Sequence, residues 1–275
     1  MEGTIIKQIS NLYTVSIDNE LYECRARGKF YHDKLTPLVG DKVKIDIDNN
    51  YILEILERKN FLNRPSIANV DDCIIITSLK APDLDLNLLD KLLCLIIHNK
   101  INPIICFTKM DLLSSKEKKE IKKIIKYYSV LGIKNFTNKD LKKIAKSIAG
   151  KTVVLTGQTG AGKSTLLNRL NKEYNIDTNP ISKALGRGVH TTRHVELYEY
   201  KTSLIADTPG FSSLDIESLS IEEIKETYPE FNIKCEYHNC NHIKEQECEV
   251  KKLVVSGKII ESRYINYLKF IGGKK

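Results

Sequence analysis

The octapeptide Gly157-Gln158-Thr159-Gly160-Ala161-Gly162-Lys163-Ser164 constrains this chain more than any other segment. It fits G-x-x-x-x-G-K-[ST] at every fixed position, follows the apolar run Val153–Thr156 and opens a helical pattern over Lys163–Asn171. That context is what phosphate chemistry requires. Glycines let backbone N–H groups converge on phosphate oxygens, and the first turn of the following helix adds a favourable dipole. In such a loop Lys163 reaches the β- and γ-phosphates, Ser164 ligates Mg²⁺, and Gln158, Thr159, Ala161 and Thr165 complete the nucleotide-facing surface. An α/β sheet with this loop at a strand's carboxyl end is therefore expected.

Two further elements fall after the loop. Asp207-Thr208-Pro209-Gly210 follows the apolar strand pattern Leu204–Ala206, so Asp207 is a candidate Mg²⁺ partner and the Gly210 amide a candidate γ-phosphate sensor. Between them, Gly186-Arg187-Gly188-Val189-His190-Thr191-Thr192-Arg193 reads as a switch loop that supplies a threonine, Thr191 or Thr192, to Mg²⁺ and the γ-phosphate.

A third element precedes the loop. Thr108-Lys109-Met110-Asp111 follows the strand pattern Ile104–Phe107 and has the form of the N-K-x-D guanine-reading element, with Thr for Asn. A carboxylate at Asp111 accepts hydrogen bonds from N1 and N2 of guanine. Adenine lacks those donors and leaves the carboxylate unpaired, so the element selects GTP over ATP. The stem of Lys109 covers the base. In most GTPases this element comes after the phosphate loop and the D-x-x-G element. Its placement ahead of Gly157 predicts a circularly permuted sheet in which the second switch runs directly into the C-terminal tail.

The flanking segments carry different patterns. Over the first sixty-odd residues, Thr4–Ile9, Tyr13–Ile17, Glu20–Arg27, Lys42–Asp46 and Ile52–Leu56 read as short strands separated by turn residues, which suits an OB-fold barrel. Arg25, Arg27, Lys29, Phe30 and Tyr31 combine charge with aromatic surface, as oligonucleotide binding does, although residues 1–64 balance ten basic against ten acidic side chains. Asn63-Arg64-Pro65-Ser66 reads as the linker out of the barrel. At the other end, Cys235, Cys240, His242 and Cys248 offer three thiolates and an imidazole, a closed tetrahedral set for a structural Zn²⁺, with His238 as the competing imidazole. The expected modules are 1–64 (barrel), 65–215 (permuted GTPase) and 216–275 (zinc-binding, helical).

Charge is distributed unevenly over the net +8. Leu112 to Lys151 holds twelve lysines and three acidic residues, Lys251 to the end seven basic residues and one Glu, and Ser212 to Glu249 ten acidic residues against three lysines. Such basic faces suit a polyanionic partner, although solvated lysine-rich helices give the same count. No apolar run reaches bilayer-spanning length and the N-terminus lacks signal-peptide features, so a cytoplasmic location is expected.

In their order along the chain, these elements resemble the ribosome small-subunit-dependent GTPase A family, a group of bacterial circularly permuted GTPases. The resemblance runs from the barrel through Arg64-Pro65-x-x-Ala68-Asn69-Val70-Asp71, Thr108–Asp111, the phosphate loop, Gly186–Thr192 and Asp207–Gly210 to the Cys235–Cys248 spacing. It implies GTP/GDP, Mg²⁺ and one Zn²⁺ as bound groups. It also implies contact with small-subunit ribosomal RNA, subunit-stimulated GTP hydrolysis and action in late 30S maturation; a monomer is expected. Two departures stand out. Arg193 replaces a third threonine in the switch, and the base-contacting loop is shortened to the neighbourhood of Phe136-Thr137-Asn138-Lys139.

The catalytic candidates are His190, Lys163 and Thr192. Many GTPases orient the attacking water with a Gln after D-x-x-G, and this chain has Phe211 there, so His190 is a candidate for that role. Packing or RNA contact by His190 is an equally good reading of the sequence. Two other functions compete with a GTPase timer. One is a nucleotide-regulated RNA-binding module with negligible turnover, opposed by intact Lys163, Ser164 and Asp207. The other is an ATP-dependent RNA-remodelling enzyme, opposed by Asp111.

Overall fold

The computed structural model describes residues 1–28, 30, 35–63, 66–171, 196–207 and 216–272. Five strands, β1 (Glu2–Ile9), β2 (Leu12–Ile17), β3 (Glu20–Ala26), β4 (Lys42–Asp46) and β5 (Tyr51–Ile55), close into a barrel in the order β1-β2-β3-β5-β4. The cause is alternation with period two. In β2, Tyr13, Val15 and Ile17 point inward and are buried while the residues between them are half-exposed. At Gly3 a Cβ would lie 2.5 Å from Ile17 Cγ1 and 2.6 Å from Val15 Cγ1, so only glycine lets β1 cross this closely. Phe30 is buried at 5% exposure. The barrel therefore keeps Arg25 and Arg27 on its surface, but Phe30 belongs to the core and offers no stacking face. Lys29 and Tyr31 lie outside the described residues.

The segment expected as a linker is bracketed by a two-stranded antiparallel hairpin, β6 (Phe61–Asn63) with β7 (Ser66–Ala68). Three-residue strands carry too little periodic signal to be seen in sequence.

A six-stranded sheet follows, built from β8 (Asp72–Ser78), β9 (Asn102–Thr108), β10 (Lys134–Thr137), β11 (Thr152–Gly157), β12 (Leu197–Tyr200) and β13 (Ser203–Asp207), in the order β10-β9-β8-β11-β13-β12. Every residue of β8 is buried, the mark of a central strand covered on both faces. Among the described residues, the α-helices are α1 (Leu86–His98), α2 (Ser115–Val130), α3 (Leu141–Ser147), α4 (Lys163–Leu170), α5 (Ile221–Glu226), α6 (Glu249–Val255) and α7 (Glu261–Ile271). The edge strands β10 and β12 are not legible in sequence, being four residues each and only partly buried. Helix starts are chemically marked. Asp85 caps α1 through the Leu88 N–H, while Ser114 with Glu117 and Ser220 with Glu223 form reciprocal capping boxes on α2 and α5.

The chain packs as two compact units. One holds the barrel, α3, α4, β12 and β13; the other holds α1, β9, α2, β10, Gly157–Gly162 and the C-terminal helices. Among the described residues, no helix is long and apolar enough to cross a membrane.

Candidate functional site

The candidate guanine-reading element, Thr108–Asp111, stands at the end of a buried strand. Ile104–Phe107 are buried in β9, and Thr108, at 3% exposure, is the last residue before the chain turns. Lys109 takes the left-handed conformation at φ 60°, which turns Met110 and Asp111 off the sheet. Asp111 is exposed, so its carboxylate is free to meet a base.

Thr108 and Lys109 face the phosphate loop. The Thr108 hydroxyl donates to the Ala161 carbonyl at 2.7 Å, and the Lys109 ammonium donates to the Gly160 carbonyl at 2.9 Å and to the Ala81 carbonyl. Two motifs some fifty residues apart and in reversed order are thus one hydrogen-bonded clasp. The sequence places both motifs but does not disclose the threonine's part in joining them. Thr108 is short, buried and β-branched, so it reaches Ala161 from a fixed rotamer.

The phosphate loop has the backbone its glycines allow. Gly157, Gly160 and Gly162 have φ of 136°, 75° and 102°. At Gly157 a Cβ would sit 2.1 Å from the Ile76 carbonyl oxygen, so any side chain there would push the loop off β8. Ala161 is buried and its N–H donates to the Gln158 carbonyl, while Thr159 and Gly160 are exposed. Lys163 and Ser164 begin α4 and are half-buried; Thr165 is exposed. α1 packs close beneath: Asp85, Leu88, Leu89 and Leu92 share with Gly157 and Gln158 a cavity of only about 10 Å³.

β13 runs parallel to β11 with Asp207 opposite Leu155, which sets Asp207 at the carboxyl end of the strand beside the one that feeds the loop. The segment expected as a shortened base-contacting loop, Phe136-Thr137-Asn138-Lys139, lies at the end of β10. β10 pairs with β9 so that Thr137 lies opposite Phe107, the Asn138 N–H donates to the Phe107 carbonyl, and Asp140 accepts from the Thr137 N–H and hydroxyl. His190, Thr191, Thr192 and Gly210 lie outside the described residues.

In the C-terminal region Cys235, Cys240, His242 and Cys248 are all buried, and their ligand atoms lie within 4.8 Å of one another. His242 Nδ1 is 3.7 Å from Cys235 Sγ and 3.3 Å from both Cys240 Sγ and Cys248 Sγ. A tetrahedral Zn²⁺ with ordinary bond lengths holds its nitrogen and sulfur ligands about 3.5 Å apart, so the donor set fits that ion. Burial pushes the Cys240 thiol up to about 12 and the His242 imidazole down, so a cation is what would make thiolates stable here. His238 is not part of the set. The loop is held from outside by Glu245, which accepts from the Asn241 and Ile243 N–H groups, and by Tyr264 and Tyr267, which donate to the carbonyls of His242 and Asn241.

One cluster has no motif in the sequence. Asp90, fully buried on α1, accepts from Tyr128 of α2 at 2.7 Å, from Arg263 of α7 at 2.8 Å and from Asn266 of α7 at 2.6 Å. Arg263, 1% exposed, also donates to Glu230 at 2.8 Å and lies 4.1 Å over the Tyr228 ring. The only signal for it in the sequence is an acidic residue inside a leucine-rich helix.

Known proteins share this geometry. The family model described as "RsgA GTPase" matches residues 55–217, and the "RsgA N-terminal domain" model matches residues 2–52. The chain belongs to the RsgA GTPase family. Membership makes it a GTP hydrolase with GTP and GDP as its nucleotides. Among RsgA relatives, the "Small ribosomal subunit biogenesis GTPase RsgA" of Latilactobacillus sakei is 43% identical over 98% of this chain and 94% of its own length. A solved structure described as that of YloQ, a circularly permuted GTPase, superposes with a TM-score of 0.83 at 37% identity, covering 99% of this chain and 94% of that one. YjeQ from Thermotoga maritima superposes at 0.85 with 31% identity, covering 99% and 97%. RsgA membership accounts for the reversed motif order and for the barrel ahead of the sheet.

Proposed function

We propose that this chain is a GTP-hydrolysing switch that acts in late maturation of the 30S ribosomal subunit, binding small-subunit rRNA and releasing it after hydrolysis. The observation that carries the nucleotide part is the clasp: Thr108 and Lys109 bond to Ala161 and Gly160, so base reading and phosphate binding share one rigid frame. The ribosomal part is supported by relatives named as small ribosomal subunit biogenesis GTPases that match nearly the whole chain.

In this reading Asp111 accepts from guanine N1 and N2, with Lys109 and Met110 beside the base. The backbone of Gly157–Gly162 cradles the phosphates, Lys163 neutralises charge on the β- and γ-phosphates, and Ser164 and Asp207 hold the Mg²⁺. Thr191 or Thr192 and Gly210 read the γ-phosphate, and His190 orients the attacking water. Cys235, Cys240, His242 and Cys248 hold a structural Zn²⁺. The modules are residues 1–64, 65–215 and 216–275, and the protein works as a cytoplasmic monomer with no membrane partner. Ile216, nine positions beyond Asp207, is buried in one core with Cys94, Leu95, Ile224 and Phe231, which supports transmission of the second switch to the C-terminal module.

The test is steady-state phosphate release from GTP, with ATP as control, with and without purified 30S subunits. Stimulation by subunits that is specific to GTP is the expected result. GTP binding without any stimulation sinks the ribosomal part and leaves the GTPase. His190→Ala should abolish stimulated turnover at unchanged nucleotide affinity; full turnover would remove His190 from catalysis.

A further inference from the structure

We propose that the outward face of α2 is a docking surface for the phosphate backbone of RNA in the small subunit. This rests on the small-subunit reading above and names a part of the chain that makes the contact. Lys116, Lys119, Lys122, Lys123 and Lys126 are all exposed. At about 100° per residue they fall within a roughly 120° arc, centred opposite Tyr128, which is buried on the inner face. From Lys116 to Lys126 that arc holds lysine and nothing else, over about 15 Å of helix.

A solvated helix face ordinarily interleaves both signs, because like charges three or four positions apart destabilise a helix by roughly 0.2–0.5 kcal/mol per pair. This face has five such pairs: Lys116 with Lys119, Lys119 with Lys122 and Lys123, Lys122 with Lys126, and Lys123 with Lys126. Little relieves them. Lys123 bonds to Glu120 at 3.0 Å, in a pair whose side chains are 73% and 62% exposed. The other acidic residue of α2, Glu117, is turned away into the capping box and onto Lys80, which holds its carboxyl at about 2. Among the described residues, Lys116, Lys119, Lys122 and Lys126 have no ion-pair partner. The helix is nonetheless firmly placed, by its capping box at one end and by Tyr128 bonded to Asp90 at the other. A fixed row of mutually repelling ammonium groups is stabilised when a polyanion is laid along it.

The composition of the face selects the partner. Protein interfaces deplete lysine at their centres and enrich aromatic residues, Met and Arg, none of which the arc contains. Lysines act as point charges on phosphate without demanding a base sequence, and a row of them along a helix suits a nucleic-acid backbone.

The experiment compares the full-length protein with the triple variant Lys119→Gln/Lys122→Gln/Lys126→Gln, glutamine being a comparable helix former. A matched triple, Lys142→Gln/Lys143→Gln/Lys146→Gln on α3, removes the same charge elsewhere. Binding to purified small subunits and to naked small-subunit rRNA is titrated across salt concentrations. The α2 triple should lower the slope of log K against log salt by about 2 to 3, at about 0.7–0.9 for each phosphate that is no longer neutralised. GTP affinity should be unchanged, which verifies the fold. An unchanged slope, or an equal loss in the α3 triple, overturns the α2 surface. A loss on subunits but not on naked rRNA overturns RNA as the partner in favour of a protein. Wild-type protein that binds neither overturns the small-subunit reading itself.

Discussion

Two polar clusters of the same unit use charge in opposite ways. The clasp of Thr108 and Lys109 on Gly160 and Ala161 is small and partly open, and its neighbour Asp111 stands exposed. The hub of Asp90, Arg263, Glu230, Tyr128 and Asn266 is sealed, with the Arg263–Asp90 pair at 1% and 0% side-chain exposure. A group that must read a ligand has to keep solvent access until the ligand arrives. A group that only fixes where helices meet gains nothing from water and is held by its partners. The hub's satisfaction is incomplete, since the Tyr228 hydroxyl, Glu230 Oε2 and Arg263 Nη2 are buried without a hydrogen-bond partner among the described residues. The expectation that follows is that changes in the clasp fall on ligand affinity, and changes in the hub on folding of the C-terminal region onto α1 and α2.

The largest expected separation comes from removing the Zn²⁺ proposed at Cys235, Cys240, His242 and Cys248. Phe231 packs edge-on against His242 at 5.3 Å and against Tyr267 at 4.9 Å, so the metal loop and the hub share a core. Chelation, or Cys248→Ser, should remove on the order of 10 kcal/mol of metal-linked folding energy from this region. It should appear as loss of the near-ultraviolet tyrosine signal and of exchange protection in α5–α7. Nucleotide binding should survive; loss of both together would mean the two clusters are one cooperative unit.

Asp111→Asn does the converse. It replaces the proposed acceptor of guanine N1 and N2 by an amide, and GTP affinity should fall on the order of 10²–10⁴-fold with no change in thermal stability. A variant that still binds GTP tightly would take base reading away from Asp111.

Arg263→Ala leaves the buried Asp90 and Glu230 carboxylates without their countercharge, which should cost about 3–5 kcal/mol in denaturant unfolding. The double variant Arg263→Met/Asp90→Leu should recover part of that loss, because apolar side chains need no partner there. If GTP affinity fell with Arg263→Ala as much as stability did, the division of labour between clasp and hub would collapse.

Legibility divides along the same line. The clasp's two motifs can be read because phosphate and guanine chemistry fixes residue type and spacing within a few consecutive positions. The metal set is equally readable, as thiols and imidazole have few other uses in such proximity. The barrel strands follow from alternation and turns, with ends within two residues of those observed. What escapes is set by contacts distant in sequence. Asp90 and Arg263 are 173 positions apart and carry no local pattern. β10 and β12 are edge strands of four residues, stabilised by their neighbours and not by their own periodicity. Phe30 reads as a stacking surface because aromatic residues next to arginines fit both a binding face and a core lid, and only packing decides between them.

The smallest effect sharpens the comparison most. Thr108→Val keeps shape and burial and removes only the hydroxyl that donates to the Ala161 carbonyl. Ala161 is itself fully buried, so its carbonyl is deprived of this donor, at a cost of about 1–3 kcal/mol. Where that energy goes depends on what the clasp does. If it preorganises the loop for phosphate, GDP and GTP affinities should both fall roughly tenfold, about 1.4 kcal/mol being a factor of ten. Discrimination against ATP should persist, because Asp111 is untouched. If the hydroxyl serves only folding, the melting temperature should drop while both affinities stay within twofold of wild type, about 0.4 kcal/mol. Thr108→Ser restores the donor without the methyl group and should recover affinity better than it recovers stability. Calorimetric titration and thermal melts of wild type, Thr108→Val and Thr108→Ser assign the bond to ligand binding or to the fold.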